Sequence, residues 1–321
     1  MSLFGQERAI AAFQAARASG ALHHAWLFTG PRGIGKARFA NMAALRLLAD
    51  AAGPSIALAG IDTPPEHPIA RLFAAGSHPD FRRLERLVND KTDTLRRNIT
   101  VDQVRKGSEL FSLSPALSPW RAMVIDSVDD LEPAGANALL KILEEPPANC
   151  LFLLVSHAPG RLLPTIRSRC RRLALAPLDD AAMGAALAEA LPARHAAERQ
   201  ALIPLAGGSV GRALSYGEHD LAPLEAEARA ILRSGDRDNA RRSKLAAALA
   251  LKAAAPRYAA FLDLVPGLIA REALTLEGPA RDRALDAYAR ARETVALAPR
   301  VSLDPAATTF QLGTILASIA G

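Results

Sequence analysis

Two hydrophobic rhythms alternate along the first half of the chain. Short apolar runs at Ala25–Phe28, Arg121–Asp126, Leu151–Ser156 and Arg171–Leu175 predict buried strands. Phe81–Leu87 predicts a further, more charged strand. Between them the apolar positions recur at helical spacing. Residues 5–19 predict a helix with Ile10, Phe13 and Ala16 on one face, ended by Gly20. The stretch after Lys36 predicts a helix to about Asp50, with Phe39, Met42, Leu45 and Leu48 inward. Thr100-x-x-Gln103 is a capping box, so a helix is predicted from Val101 to about Leu113. Glu132–Glu145 predicts another, stopped by Pro146-Pro147. Arg161–Ser168 predicts a helical turn. Residues 51–79 read as an Ala-, Gly- and Pro-rich loop with one short helix at Ile69–Ala74, Asp90–Asn98 as a polar, mobile stretch, and 115–119 as a loop.

Strand and helix thus alternate through residue 175, which predicts a parallel sheet with helices on both faces. After Pro177 no strand is predicted. Asp179–Leu191, His195–Leu205 and Ser209–Tyr216 read as three small helices. From Pro223 onward come Ala- and Leu-rich amphipathic segments, broken near Gly235, Pro256, Pro266, Gly278 and Pro299. There is no internal repeat and no low-complexity tail.

Length and composition narrow the class. A chain of 321 residues with 50% hydrophobic content has ample core for two or three domains. No apolar run reaches the roughly 18 residues of a membrane span, and MSLFGQERAI lacks a signal-peptide pattern, so a cytoplasmic location is expected. The two cysteines, Cys150 and Cys170, form neither a disulfide framework nor a zinc spacing and read as buried, inert thiols. A net charge of +6 is compatible with nucleic acid nearby and equally with ordinary solvated faces. The arginine-rich stretches Arg237–Lys244 and Arg281–Arg292 read as mostly solvated helix faces.

The chemistry concentrates after the first strand. Gly30-Pro31-Arg32-Gly33-Ile34-Gly35-Lys36 is a G-x-x-x-x-G-K loop between strand and helix, the setting a phosphate-binding P-loop requires. Its glycines let successive N–H groups turn inward, the helix adds its positive end, and Lys36 supplies a point charge. The next position ordinarily carries the hydroxyl that ligates Mg²⁺; here it is Ala37. Asp126, at the tip of a buried strand, stands where a Walker B acid holds the metal. The general base that usually follows is replaced by Ser127. A serine is too weak a base for that step, and losing a general base costs about 10²–10⁴ in rate. Both losses fall on one reaction. A third signal is Ser168-Arg169-Cys170. An exposed arginine at the end of a P-loop domain can act in trans on a neighbour's ATP, contributing about 10³–10⁵ in rate. The residues alone leave a plain surface arginine in a basic chain open as well.

Longer runs carry a resemblance. Asn137-Ala-Leu-Leu-Lys141-Ile-Leu-Glu144-Glu145-Pro146-Pro147, Leu151–Ser156 and Ile166-Arg-Ser-Arg169-Cys170 resemble the signature run of the bacterial clamp-loader AAA+ subunits of DNA polymerase III. Phe4-Gly5-Gln6 and His24–Phe28 are similar to that family's N-terminal motifs. The likeness covers residues 4–175 and extends to about 216. It implies an AAA+ P-loop domain at 1–176, a small helical lid at 177–219 and an all-α collar domain at 220–321, which in the family packs into a ring of five. Within the family the pattern is similar to the subunit class that keeps the architecture without ATPase activity and offers an SRC arginine to an adjacent gamma/tau-type ATPase.

That resemblance implies roles residue by residue. Arg169, beside Ser168, would be the in-trans arginine. Gly30, Gly33, Gly35, Lys36 and Asp126 would form a degenerate nucleotide site. Ser156 falls at the sensor-1 position, where a structural hydrogen bond is expected of it. Gly208–Leu214 falls at sensor-2, with Gly211 where active relatives usually carry arginine; Arg212, about 100° further round a helix, is not expected to reach phosphate. Relatives commonly carry a four-cysteine zinc module before Ser77-His78-Pro79-Asp80. Residues 51–79 hold no cysteine, so no zinc is expected, and His67 and His78 read as surface residues. No cofactor is required and no metal is expected; at most ATP would bind weakly without Mg²⁺. The implied partners are gamma/tau-type ATPase subunits, a delta-like clamp opener, the sliding clamp and the primer-template backbone without base specificity; none is a membrane. Two rivals stay open. One is an active gamma/tau-type ATPase, opposed by Ala37, Ser127 and the absence of a long C-terminal extension. The other is a purely structural scaffold in which Arg169 is inert.

Overall fold

The computed structural model describes residues 3–89 and 94–320. The chain forms two compact units. The first comprises residues 1–193 with 208–211, the second 194–207 with 212–321.

In the first unit, α1 (Glu7–Ala18), β1 (Ala25–Thr29) and α2 (Lys36–Ala52) come first, then α3 (Pro68–Ala74) and β2 (Phe81–Glu85). A two-stranded antiparallel pair, β3 (Val88–Asn89) and β4 (Thr94–Leu95), follows. Residues 90–93 of the stretch expected to be polar and mobile lie outside the described residues. Next come α4 (Val101–Ser108), β5 (Arg121–Asp126), α5 (Pro133–Glu144), β6 (Cys150–Ser156), α6 (Pro164–Ser168), β7 (Arg171–Ala174) and α7 (Asp180–Ala190). The main sheet has order β2-β5-β6-β1-β7, and every pairing is parallel. Every residue of β6 is buried, because helices cover both faces of the sheet. The register sets Asp126 opposite Val155 and Thr29 opposite Ser156. The carboxyl ends of β1, β5 and β6 therefore converge where the P-loop turns.

The capping box is formed in full: the Thr100 side chain accepts from Gln103 N, and the Gln103 side chain accepts from Thr100 N. The helix it starts is shorter than expected and becomes a 3₁₀ turn at Glu109–Ser112. Gly107 explains the close approach before that point. A Cβ there would lie 3.0 Å from Leu84 Cδ2 and 3.1 Å from Met123 Cε, so α4 presses on the sheet where no side chain fits. The inward face of α2 also differs from expectation. Phe39, Ala40, Ala43, Ala44, Leu47 and Leu48 are buried, whereas Met42 and Leu45 are only partly so. The alanines let the helix backbone settle on the sheet, which rotates the longer side chains to the rim.

Residues 53–66 have almost no regular structure, yet one side chain organises them. Arg46, on α2, is 5% exposed. Its Nε donates to both Asp50 oxygens at 3.0 and 2.9 Å. Nη1 donates to the carbonyls of Leu58, Gly60 and Asp62 at 2.9, 3.1 and 2.8 Å, and Nη2 to that of Ile56 at 3.4 Å. Arg17 pairs with the same Asp50, and Gln14 Nε2 donates to Gly60 O at 2.7 Å. His67 and His78, expected at the surface, are buried at 5% and 2% exposure. His67 Nδ1 caps α3 by accepting from Ile69 N at 3.2 Å, and His78 Nδ1 accepts from Asp80 N at 3.1 Å. Asp80 in turn accepts from the backbone of Ala116 and Leu117, pinning that loop.

The second unit is helical: α8 (Ala196–Ala206), most of α9 (Val210–Glu218), α10 (Ala222–Ser234), α11 (Ala240–Leu249), α12 (Ala255–Ala273), α13 (Gly278–Leu297) and α14 (Pro305–Ala317). The break expected near Pro266 is absent, since α12 runs through it. Phe261, Leu264, Val265, Leu268 and Ile269 around it are buried, and their packing outweighs the lost backbone bond. Ala284, Ala287 and Ala291 form the inward stripe of α13. Arg242, in a stretch expected to be solvated, is instead tied down. Its Nε donates to the buried Asp236 at 3.0 Å and its Nη1 to Thr314 on α14 at 3.0 Å. Among the described residues no single helix is long and apolar enough to cross a membrane.

Candidate functional site

The P-loop leaves β1, turns through Gly30–Gly35 and enters α2 at Lys36. The turn demands glycine at its start: Gly30 has φ 143°, and a Cβ there would lie 2.5 Å from Leu175 O. Lys36 does not reach outward. It is 2% exposed, and its ammonium donates to Gly30 O at 2.7 Å and to Pro31 O. Burial lowers its pKa to about 8, against the opposing pull of Asp129 and Asp126. The loop thus binds its own lysine.

Asp126 is answered by the protein as well. Arg83 on β2 donates from Nη2 to Asp126 Oδ2 at 3.1 Å and also pairs with Glu85 at 2.8 Å. Ser127 is buried, and its hydroxyl donates to Asp130 Oδ2 at 3.0 Å; Asp130 also faces Arg86 at 3.3 Å. Ser156 is fully buried and donates to Asp129 Oδ1 at 2.9 Å. That same carboxylate accepts from the backbone of His157 at 2.6 Å and Ala158 at 3.2 Å. Both serines are therefore engaged with acids of the segment between β5 and α5.

A cavity of about 330 Å³ adjoins the loop. Lys36, Asp126 and His157 line its polar part, and Phe4, Ala37, Leu178, Ala186 and Val210 its apolar wall. His157 was missed in the sequence, although its place directly after the sensor-1 position marks it. Burial, with the charges of Lys36 and Arg32, lowers its pKa to about 4, so the ring is neutral at physiological pH. Residues 208–211 lie against the P-loop. Ser209 Oγ donates to Arg32 O at 2.9 Å, and Gly211 N donates to Gly33 O at 2.9 Å. A Cβ on Gly211 would sit 2.9 Å from Gly33 Cα. Backbone thus lies against backbone at the sensor-2 position.

Arg212 belongs to the second unit. Its Nε and Nη2 hold Asp263 at 2.7 and 3.3 Å, and Nη1 donates to Ala206 O at 3.3 Å. Arg169 lies at the C-terminal cap of α6. It is 34% exposed in its side chain, pairs through Nη2 with Glu144 Oε1 at 2.8 Å, and donates through Nη1 to Thr165 O at 3.0 Å. Ser168 Oγ also donates to Thr165 O, at 3.1 Å. Burial raises the thiol pKa of Cys150 to about 11 and of Cys170 to about 12; Cys150 is buried as expected, whereas Cys170 is only half-buried. Between α4 and α5 runs an open groove that sequence reading did not single out. Arg105 and Lys141 line it with Ser108 and Asn137. Among the described residues no group of three or more His, Cys, Asp or Glu is placed to hold a metal ion.

The family described as DNA polymerase III, delta subunit, matches residues 5–179. The chain belongs to that family. Over 187 residues it is 38% identical to the DNA polymerase III subunit delta' of Pseudomonas aeruginosa, an alignment covering 58% of this chain and 53% of that relative. It is 32% identical over 222 residues to the DNA polymerase III subunit gamma/tau of Mycobacterium tuberculosis, covering 68% of this chain and 36% of that one. A solved DNA polymerase III gamma-subunit-related protein from Thermotoga maritima matches over 96% of this chain and 99% of its own, with TM-score 0.44 and 16% identity. The chain spans about half the length of the delta' relative and about a third of the gamma/tau relative.

Proposed function

We propose that this protein is a non-hydrolysing, delta'-type subunit of the DNA polymerase III clamp loader, working in the cytoplasm. In this role it helps place a sliding clamp on primed DNA and offers Arg169 to the ATP of a neighbouring gamma/tau-type subunit. One observation carries the reading. The groups that would handle MgATP are already occupied by the protein: Lys36 by its own loop carbonyls, Asp126 by Arg83 and Ser127 by Asp130, while Ala37 offers no hydroxyl. A loop satisfied in this way keeps its shape without turning over nucleotide. Arg169, at the C-terminal cap of α6, is held by Glu144 and Thr165 O but remains partly accessible to solvent. Its guanidinium would neutralise charge developing on the γ-phosphate of the neighbour's nucleotide.

The cavity beside Gly33–Lys36, with its apolar wall, would take an adenine nucleotide weakly and without Mg²⁺. Equilibrium dialysis with labelled ATP tests this, and tight Mg²⁺-dependent binding would overturn it. The implied protein partners are gamma/tau-type ATPases, a delta-type clamp opener and the clamp. DNA would be held by its phosphates along the α4–α5 groove, through Arg105 and Lys141. The isolated chain should show no ATP turnover; turnover abolished by Lys36→Ala would establish the active-ATPase rival. The Glu144–Arg169 ion pair favours the scaffold rival, in which the arginine serves only its own fold. Reconstituting the complex with Arg169→Ala decides between them. A fall of about 10³ in DNA-stimulated hydrolysis supports the in-trans role, and an unchanged rate supports the scaffold.

A further inference from the structure

Glu144 occupies an electrostatically poor position. It is the last residue of α5, with Glu145 directly after it. A helix C-terminus carries partial negative charge and disfavours carboxylates. The compensating cation is Arg169, 2.8 Å away. Both sides of this contact are anchored in one hydrophobic cluster, α5 through Leu139 and Leu143 and α6 through Ile166. A guanidinium has five N–H donors; Glu144 and Thr165 O engage two of them, and the group remains accessible to solvent. An unheld arginine gives up rotamer freedom when it meets an anion. At this site that freedom is already lost in the folded chain.

We propose that Glu144 is a positioning residue for Arg169. Its carboxylate fixes the guanidinium at the junction of α5 and α6, so that the remaining donors meet a phosphate carried by a neighbouring subunit. The proposal rests on the in-trans reading of Arg169 given above. It accounts for an acid that the local helix would otherwise reject.

The test is a double-mutant cycle in the complex reconstituted from the full chain, its gamma/tau-type ATPase, the delta-type subunit, clamp and primed DNA, with ATP hydrolysis as readout. Glu144→Gln keeps the side-chain shape and removes the charge. It should lower kcat about tenfold through misplacement of the guanidinium, with KM for ATP within about twofold of the parent. In the Arg169→Ala background the same change should have no further effect. Glu144→Ala should behave alike, and thermal melting should show all variants folded. If Arg169→Ala lowers the rate and Glu144→Gln does not, the positioning role is refuted while the in-trans arginine stands. Equal losses in both backgrounds, or a rise in kcat with Glu144→Gln, also refute it. If Arg169→Ala has no effect, the in-trans reading falls and this proposal falls with it.

Discussion

Arg46 gives the sharpest stability prediction. Arg46→Met keeps much of the aliphatic stem and removes the cation around which residues 53–66 are arranged. The guanidinium serves four loop carbonyls and one carboxylate. Hydrogen bonds to a charged group contribute about 1.5–3 kcal/mol each, and removing one partner of a buried ion pair costs about 3–5 kcal/mol. Two features reduce the sum. Leu58 and Asp62 are exposed and Ile56 and Gly60 half-buried, so the freed carbonyls regain water, and Arg17 still faces Asp50. The net loss should be about 3 kcal/mol. Urea denaturation followed by circular dichroism would show it as a lower midpoint at unchanged slope. Hydrogen exchange would show the loop amides unprotected while the centre of α2 stays protected. Arg46→Lys should recover only a minor part, because a point charge cannot serve carbonyls spread over that distance. A midpoint and loop protection both unchanged in Arg46→Met would refute the idea that one guanidinium organises the loop.

His157 has a folded pKa of about 4 against an ordinary 6.5. The unfolded chain therefore binds more protons between those values, and stability should fall as pH drops from about 6.5 to 4; His157→Gln should remove close to one proton from that linkage, as read from the pH dependence of the urea midpoint. Gly211→Ala should destabilise the first unit by about 1–3 kcal/mol, because its Cβ meets the Gly33 backbone at 2.9 Å; an unchanged melting temperature would contradict this packing. Arg105→Ala and Lys141→Ala should each lower the salt slope of DNA binding by about 1, equally for unrelated sequences, as titrations of fluorescent primed DNA would measure. Cys150, buried and with a raised thiol pKa, should react with a thiol reagent at neutral pH only after denaturation.

Local chemistry made much of the fold legible. The unbroken apolar run of β6, the Thr100–Gln103 box and the glycines of the P-loop each act through neighbours in sequence, so their consequences can be read from order alone. The replacements at Ala37 and Ser127 were legible for the same reason. What escaped depends on distant partners. Arg46 looks like any helix-surface arginine until Ile56, Leu58, Gly60 and Asp62 turn their carbonyls to it. His67 and His78 look like surface histidines, but each caps backbone two residues on and is then covered. The orientation of α2 turned on how closely alanines let two backbones approach, which a hydrophobic pattern does not encode. Pairing of Asp126 with Arg83 and of Arg169 with Glu144 required the sheet order and the α5–α6 contact, both products of tertiary folding.

The contact between Gly211 and Gly33 bears on how such a chain can change over time. Two of the departures from the full P-loop pattern, Ala37 and Ser127, are single side chains that one substitution each could restore. The third is not. An arginine at position 211 has no room until main chain on one side moves away from main chain on the other. Access to any large side chain at this position is thus controlled by the main chain of two segments far apart in sequence, and no change of a single residue opens it.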